Sequence, residues 1–344
     1  MEAYGEVEAY LRRRVPELLG EAIRSIMPIA SGVWRLDLHH SVRVAKYHLF
    51  APLTRNRSYD VLQVERDVLN ALSAAGCRVP RVVALDEEAY FAFYEWVGES
   101  TLDDWAQENR RRDGALLCGL LRDQQAIDSA LADGSARWAQ RVAPGGGEEE
   151  AHSGWHAACQ RALVGAEALL RHLQRPALTE RVRRGLEALE RTMAERPLVL
   201  GSSDYNARNI VVSPQGTAFF IEFSKLSWDW TERRLVQYTT CMGSARAGGT
   251  MRPLLDRDAV DYYVERIGDV RVARAMDAHQ IVFLLNAAAM LCSALVRPDE
   301  QANGALLRAW KNPARRLQTL ARTLATPLSN DVDARCVRAA FSPV

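Results

Sequence analysis

A chain of 344 residues is longer than one hydrophobic core usually serves, so two packed units sharing an interface are expected. Hydrophobic residues make up 48% and charged residues 25%, the proportions of an ordinary globular protein, which excludes a disordered or fibrous chain. A net charge of +1 supplies no global field to recruit nucleic acid or an anionic membrane surface, so any bound phosphate must be held locally.

Residues 2–24 carry apolar positions at helical spacing with Pro16 inside, which predicts one broken helix or two short ones. The first residues include acids and lack the basic-then-apolar order of a signal peptide. From Ile26 the pattern changes: IMPIASGVWRLDL and SVRVAKYHLF alternate apolar and polar residues around His39 and His40, as half-buried antiparallel strands do. Ser31 and Gly32 fall where the first strand turns. Residues 59–75 place Val61, Leu62, Val64, Val68, Leu69 and Leu72 at helical spacing, with Glu65 able to point inward among them. RVPRVVALD and YFAFYEWV read as two more strands around the acidic turn at Asp86, Glu87 and Glu88.

Gly98, Glu99 and Ser100 break this pattern, and the chain turns from mixed to mainly helical, which divides it into residues 1–97 and 98–344. Segments 102–112, 115–131 and 155–173 look helical, with 144–153 (PGGGEEEAHS) between them as an exposed loop. A helix over 178–195 precedes three short strands in PLVLG, IVVS and TAFFIEF. Helices near 231–243, 255–267, 272–296 and 304–325 follow, then a tail expected to fray. The apolar run 281–296 is interrupted by Asn286 and falls short of the roughly 20 residues that span a bilayer, so it reads as a buried helix. The six cysteines are scattered without a CxxC pair, which argues against zinc and for a reduced, cytoplasmic setting.

Of 44 basic side chains only Lys46, Lys225 and Lys311 are lysines. An ammonium is a compact point charge and a guanidinium a planar fork, so the surviving lysines are places to look for chemistry. For Lys311, on a C-terminal helix, codon usage is the preferred explanation, and Lys225 is expected to be solvated. The richest stretch is LVLGSSDYNARNIVVSPQGTAFFIEFSKLSWDW, in which a strand, a polar loop, a hairpin and a second carboxylate follow closely. Asp204 and Asn209 lie in the loop, and beyond the turn at Pro214, Gln215 and Gly216 the chain returns with Glu222 beside them. Asn209 and Glu222 can offer hard oxygen ligands to magnesium, and Asp204 can orient an acceptor hydroxyl and take its proton. The competing structural role for Asp204 and Asn209 is a set of turn hydrogen bonds.

The run Asp204-Tyr205-Asn206-Ala207-Arg208-Asn209, followed by Ile-Val-Val and Ile221-Glu222-Phe223, resembles the catalytic and metal-binding loops of the aminoglycoside phosphotransferase and choline kinase family. The order of the other parts agrees over about residues 25–300. Val44-Ala45-Lys46 is similar to the strand bearing that family's phosphate-binding lysine, and Glu65 to its ion-pair partner. Tyr94-Glu95-Trp96-Val97 is similar to the hinge that meets the adenine ring. Ser31 and Gly32 would cover the phosphates. Two residues depart from the family: Ser202 stands where it has histidine, and Glu222 where it has aspartate. Asp229 is expected to cap a helix beginning near Trp230.

The resemblance implies an α+β, bilobal protein-kinase-like fold, with a small antiparallel-sheet lobe carrying one main helix and a large, mainly helical lobe. It also implies an enzyme that uses ATP, or GTP, with Mg2+ to phosphorylate a hydroxyl of a small molecule. Asp204 would be catalytic, Asn209 and Glu222 would hold the metal, and Ser31, Gly32, Lys46, Glu65, Glu95, Trp96 and Val97 would bind nucleotide. The rival reading, supported by Ser202 and Glu222, is a pseudokinase that binds a nucleotide or metabolite with little or no transfer. A helical scaffold without nucleotide affinity is a third. The tail, with two aspartates and two arginines after residue 328, argues against a polycationic acceptor.

Overall fold

Pro16 does not break the first helix. In the computed structural model, which describes residues 2–109, 113–243 and 249–342, α1 (Glu2–Leu19) runs straight through it. A proline there removes one backbone hydrogen bond, and α1 is held instead by packing, with Leu11 and Val15 fully buried on the sheet beside it.

That sheet has five antiparallel strands: β1 (Ile23–Ala30), β2 (Val33–Leu38), β3 (Val42–Tyr47), β4 (Val82–Asp86) and β5 (Phe91–Glu95), in the order β1-β2-β3-β5-β4. Side chains alternate between its faces. Ala45, Phe91 and Phe93 meet α1 on one side. Val44, Ala92 and Tyr94 meet the main helix on the other. After a single turn α2 (Ala51–Thr54), that helix, α3 (Val61–Ala74), starts at Asp60, whose carboxylate accepts from the N–H groups of Leu62 and Gln63. Val61, Leu62, Val64, Val68, Leu69 and Leu72 are all buried, and Glu65 is buried among them at 1% exposure.

The chain leaves the sheet through Gly98, whose φ of +157° is open only to glycine, and where a Cβ would meet the Val212 carbonyl oxygen at 2.8 Å. The larger lobe then opens with β6 (Ser100–Thr101), α4 (Leu102–Glu108), α5 (Gly114–Asp133), α6 (Ser135–Ala139), α7 (Glu148–His172) and α8 (Glu180–Ala194). The predicted loop 144–153 is therefore helical from Glu148 onward. Glu148, Glu149 and Glu150 form the first turn, where negative charge complements the helix dipole.

Small sheets follow: β7 (Val199–Ser202), β8 (Ile210–Val212), β9 (Ala218–Phe220) and β10 (Leu226–Asp229), with β10 paired to β7 and β8 between β6 and β9. Next come α9 (Thr231–Tyr238), the pair β11 (Thr240–Cys241) and β12 (Arg252–Pro253), α10 (Arg257–Ile267) and α11 (Arg271–Val296). The predicted helix 231–243 thus stops early. The predicted helix 304–325 is two, α12 (Gln301–Ala309) and α13 (Pro313–Ala325), split where Asn312 adopts a left-handed φ of 57° before Pro313. Lys311 accordingly lies between helices.

α11 is long and apolar enough to cross a bilayer by length and composition, yet it is the central strut of the larger lobe. It packs so closely on α7 that a Cβ on Gly165 would overlap the Leu285 carbonyl oxygen. The tail does not fray: α14 (Val332–Ala339) returns to α11 and is bolted there by Arg338, 2% exposed. Its guanidinium donates to Asp277 (Nε, 2.7 Å), to Gln280 and to the carbonyls of Thr323 and Leu324, while Ser329 donates twice to the other Asp277 oxygen. Removing one partner of such a pair strands a buried charge. Arg338→Met should therefore cost about 3 kcal/mol of stability in urea unfolding, whereas Arg338→Met with Asp277→Leu should recover most of that loss.

Candidate active site

Lys46 lies on β3 opposite Ala92, with Val44 opposite Tyr94, so its ammonium faces α3. It donates to both Glu65 oxygens at 3.1 Å and to Glu222 Oε2 at 2.8 Å. The expected pairing of Lys46 with Glu65 is present, and Glu222 adds a contact that the sequence did not suggest. Glu65 is held by two further groups: the Tyr94 hydroxyl donates to Oε2 at 2.8 Å, and His48 Nε2 lies 2.9 Å from the same oxygen. Both were readable from alternation, since His48 is two residues beyond Lys46 and Tyr94 sits two along from Lys46's cross-strand partner.

Burial alone would raise the Glu65 carboxyl, but Lys46 and His48, with the Tyr94 hydrogen bond, bring it down to about 2. Burial likewise works against the Lys46 ammonium, and Glu65 and Glu222 more than offset it, holding the group charged well above its ordinary range. Tyr94 is pushed far upward by burial and by Glu65, so it stays a donor.

Below this cluster the polar loop descends from β7. The Asp204 carboxylate is exposed, with its main-chain N–H donating to Ser202 Oγ at 3.1 Å and its Oδ1 accepting from Asn206 Nδ2 at 2.6 Å. Asn209 donates through Nδ2 to the Asp204 carbonyl at 2.7 Å, which leaves its amide oxygen as the outward end. Its own carbonyl accepts from Ile221, which fixes the next strand end, where Glu222 stands and accepts from Ser224. The turn hydrogen bonds and the outward carboxylate coexist.

The base of the loop rests on Arg234, which has no solvent exposure. Its guanidinium donates to the carbonyls of Val199, Ser202, Ser227 and Asp229 at 2.8–3.3 Å, tying β7 to β10. Gly201 makes room, since a Cβ there would lie 2.8 Å from the guanidinium carbon. Asp229 does not cap α9 in the expected manner: Trp230 is the N-cap residue, and Asp229 instead takes the Tyr205 hydroxyl, the Trp230 N–H at 2.8 Å and Arg233 at 3.2 Å.

These groups wall one cavity of about 600 Å³ between the lobes. Asp204, Asn209 and Glu222 line its floor, Ser31 and Lys46 its roof, and Glu95, Trp96 and Val97 its back. Gly32 is not on the wall; its φ of +72° makes the turn that presents Ser31. Glu65 stands behind Lys46. The Glu95 carboxylate turns away to Arg81 at 3.0 Å, and Trp96 carries the Arg35 guanidinium 4.9 Å from its ring centre. Sequence reasoning missed Asp104, Asn206 and Arg208, which share the cavity.

A second cavity of about 350 Å³ opens on the far side of Lys46 and Glu222, with Asp204, Ser203 and Lys225 on its wall. Lys225 is not simply solvated: it is half-buried, with Nζ 4.1 Å from the Phe50 ring centre. Among the described residues no three or more His, Cys, Asp or Glu side chains gather as a metal cage. Asn209 and Glu222 are two oxygen donors on the wall of the first cavity, a set that magnesium, which keeps most of its waters, could use.

A strand lysine paired to a helix glutamate, above a polar loop carrying a carboxylate, defines a two-lobed, protein-kinase-like phosphotransferase. The model of the phosphotransferase enzyme family (APH) matches residues 40–236, and the chain belongs to that family. No curated protein matches the sequence. Among solved structures, spectinomycin phosphotransferase in its AMP complex is similar at 12% identity and TM-score 0.54, covering 91% of this chain and 97% of the other. The GDP complex of aminoglycoside 2'-phosphotransferase-IIIa is similar at 13% identity and TM-score 0.50, with coverage of 90% and 97%. Choline kinase LicA from Streptococcus pneumoniae aligns at 14% identity and TM-score 0.47, with coverage of 91% and 99%. At such identities the spectinomycin phosphotransferase likeness establishes the fold.

Because the Glu65 carboxyl falls from its ordinary 4.5 to about 2, its contribution to stability is complete above 4.5 and is lost as the pH drops towards 2. Glu65→Gln should cost about 3 kcal/mol at neutral pH. Urea unfolding should show that deficit shrinking as the pH falls through this window; a deficit independent of pH would contradict the assignment.

Proposed function

We propose that this protein is an ATP- and magnesium-dependent phosphotransferase acting on a hydroxyl of a small molecule, a metabolite or antibiotic, with GTP as the alternative nucleotide. The observation that carries the reading is the convergence of Lys46, Asp204, Asn209 and Glu222 on one interlobe cavity of about 600 Å³, a volume that suits a nucleotide. The AMP and GDP complexes of the spectinomycin and aminoglycoside enzymes support placing a nucleotide there.

In this reading Lys46 supplies a point charge to the phosphates, and Glu65, locked by Tyr94 and His48, keeps that ammonium from wandering. Glu95, Trp96 and Val97 offer the hinge, and Ser31, presented by Gly32, the cover. Asn209 and Glu222 would hold magnesium, which when bound would offset the negative charge of the phosphates. Glu222, now paired to Lys46, would have to release that ammonium to ligate the ion. Asp204 orients the acceptor hydroxyl and takes its proton as that oxygen bonds to the terminal phosphorus and the nucleoside diphosphate departs. Ser202 and Arg234 do the buttressing for which relatives use a histidine.

We divide the lobes at 97/98, with nucleotide binding in residues 1–97 and the catalytic loop, metal ligands and acceptor pocket in 98–344. The partner is a hydroxylated small molecule, not nucleic acid or a membrane, and six unpaired thiols support a cytoplasmic setting. One observation favours the second reading, a nucleotide-binding pseudokinase: both Glu222 oxygens are taken, one by Ser224 and one by Lys46.

Two variants separate the readings. Asp204→Asn should lower turnover by about a thousandfold in an ATP-consumption assay over a hydroxylated-metabolite panel, with ATP affinity nearly unchanged. Lys46→Ala should weaken ATP binding much more than Lys311→Ala. Equal loss of binding and turnover in Asp204→Asn would place that residue in loop architecture, and equal effects of the two lysine changes would remove Lys46 from the phosphate site.

A further inference from the structure

The larger lobe contains a cavity that phosphotransfer as described does not use. It lies between α7, α9 and α11 and encloses about 260 Å³. Its walls are mainly apolar, with Trp155 and Phe283 as the flat surfaces, and no carboxylate lines it. Five polar side chains, Arg161, Arg233, Gln237, His279 and Asn286, break the apolar lining.

His279 is 2% exposed, and its Nε2 has no hydrogen-bond partner. Trp155 packs edge-on against the ring, 4.6 Å away between centres. Nε2 itself has almost no accessible surface, so a ligand in the cavity meets the rest of the ring and not this nitrogen. Burial, reinforced by Arg233, holds this imidazole neutral. Arg161 stands at the exposed mouth; it forms no ion pair among the described residues and donates only to the Asn286 amide oxygen at 3.2 Å. Asn286 is fixed by its own donations to the carbonyls of Ala158 and Val282 at 2.9 and 2.7 Å. Arg233 reaches the cavity from α9 and spends one nitrogen on Asp229 at 3.2 Å.

We propose that this cavity is a binding site for a small, ring-bearing carboxylate: a planar body between Trp155 and Phe283, and a carboxylate met by Arg161 and Arg233. The charge selects the class. One unpaired guanidinium and one shared guanidinium balance a monoanion better than a phosphate dianion, and they repel a cation. The size selects the ring, since the volume suits a body of about ten heavy atoms.

The site is coupled to the polar loop. A bound carboxylate competes with Asp229 for Arg233, and Asp229 in turn takes the hydroxyl of Tyr205, the neighbour of Asp204. Only this last link rests on the phosphotransfer reading; binding itself does not.

The test is calorimetric titration of the nucleotide-free, full-length protein with benzoate, and with benzamide and benzylamine as the neutral and cationic counterparts. Benzoate should bind in the millimolar range, benzamide at least about tenfold more weakly and benzylamine not at all. Arg161→Gln, at an exposed position, should weaken benzoate about tenfold with unchanged circular dichroism and melting temperature. Asn286→Asp, which sets a carboxylate against Arg161, should abolish binding, and the benzoate-induced shift of the His279 imidazole resonance should vanish with it. Failure of benzoate to bind, equal binding of benzylamine, or benzoate affinity unaffected by both variants would overturn the proposal.

Discussion

The Lys46 ammonium stands between two carboxylates from different lobes, Glu65 at 3.1 Å and Glu222 at 2.8 Å, and the geometry of the cleft follows from that position. Glu65 has no freedom to follow any other partner, because Tyr94 and His48 hold it from behind and the apolar face of α3 surrounds it. The sheet therefore presents one fixed positive charge to the cleft. Glu222 is the movable member of the trio: it is partly exposed, it sits just beyond a short strand, and its other oxygen is held only by the neighbouring Ser224. An ion pair that joins two lobes through one mobile carboxylate is a natural place for an incoming cation to intervene.

The near-absence of lysine acquires a structural meaning in the larger lobe. Three fully buried arginines organise it, and each gathers several carbonyl oxygens that a single ammonium could not reach together. Arg234 ties β7 to β10 beneath the loop that carries Asp204. Arg316 donates to the carbonyls of Lys311, Gly243 and Gly249, and Arg338 closes the tail onto α11. The planar fork with five donors satisfies backbone groups that would otherwise be stranded where strands and helices end. The loop that carries Asp204 is thus rigid at its base although exposed at its tip.

Much of this was legible in the residues themselves. The alternation around Ser31, Gly32 and Lys46 gave the first three strands, and the helical spacing around Glu65 gave α3 within two residues of its ends. The order of Lys46, Glu65, Asp204, Asn209 and Glu222 carried the family. What escaped were features decided by tertiary packing: the continuity of α1 through Pro16, the helical start at Glu148, the split at Asn312 and the bolted tail. Local pattern is silent about a clamp such as Arg338 on Asp277, because its partners lie 61 residues apart. His48 and Tyr94 were recoverable, since strand alternation already placed them on the Lys46 face. Arg234 was not, because nothing in one sequence distinguishes a buried arginine from a solvated one.

If Glu222 divides its carboxylate between Lys46 and a metal ion, as proposed, calorimetry of ATP binding to wild type, Glu222→Ala and Glu222→Asp, with and without magnesium, will reveal it. Magnesium should tighten ATP binding to wild type by about tenfold or more, and Glu222→Ala should remove this gain while leaving magnesium-free binding in place. Glu222→Asp should retain the gain, because the shorter side chain still reaches the ion. Indistinguishable curves for all three proteins, with no dependence on magnesium in any, would contradict the claim and remove Glu222 from the metal site.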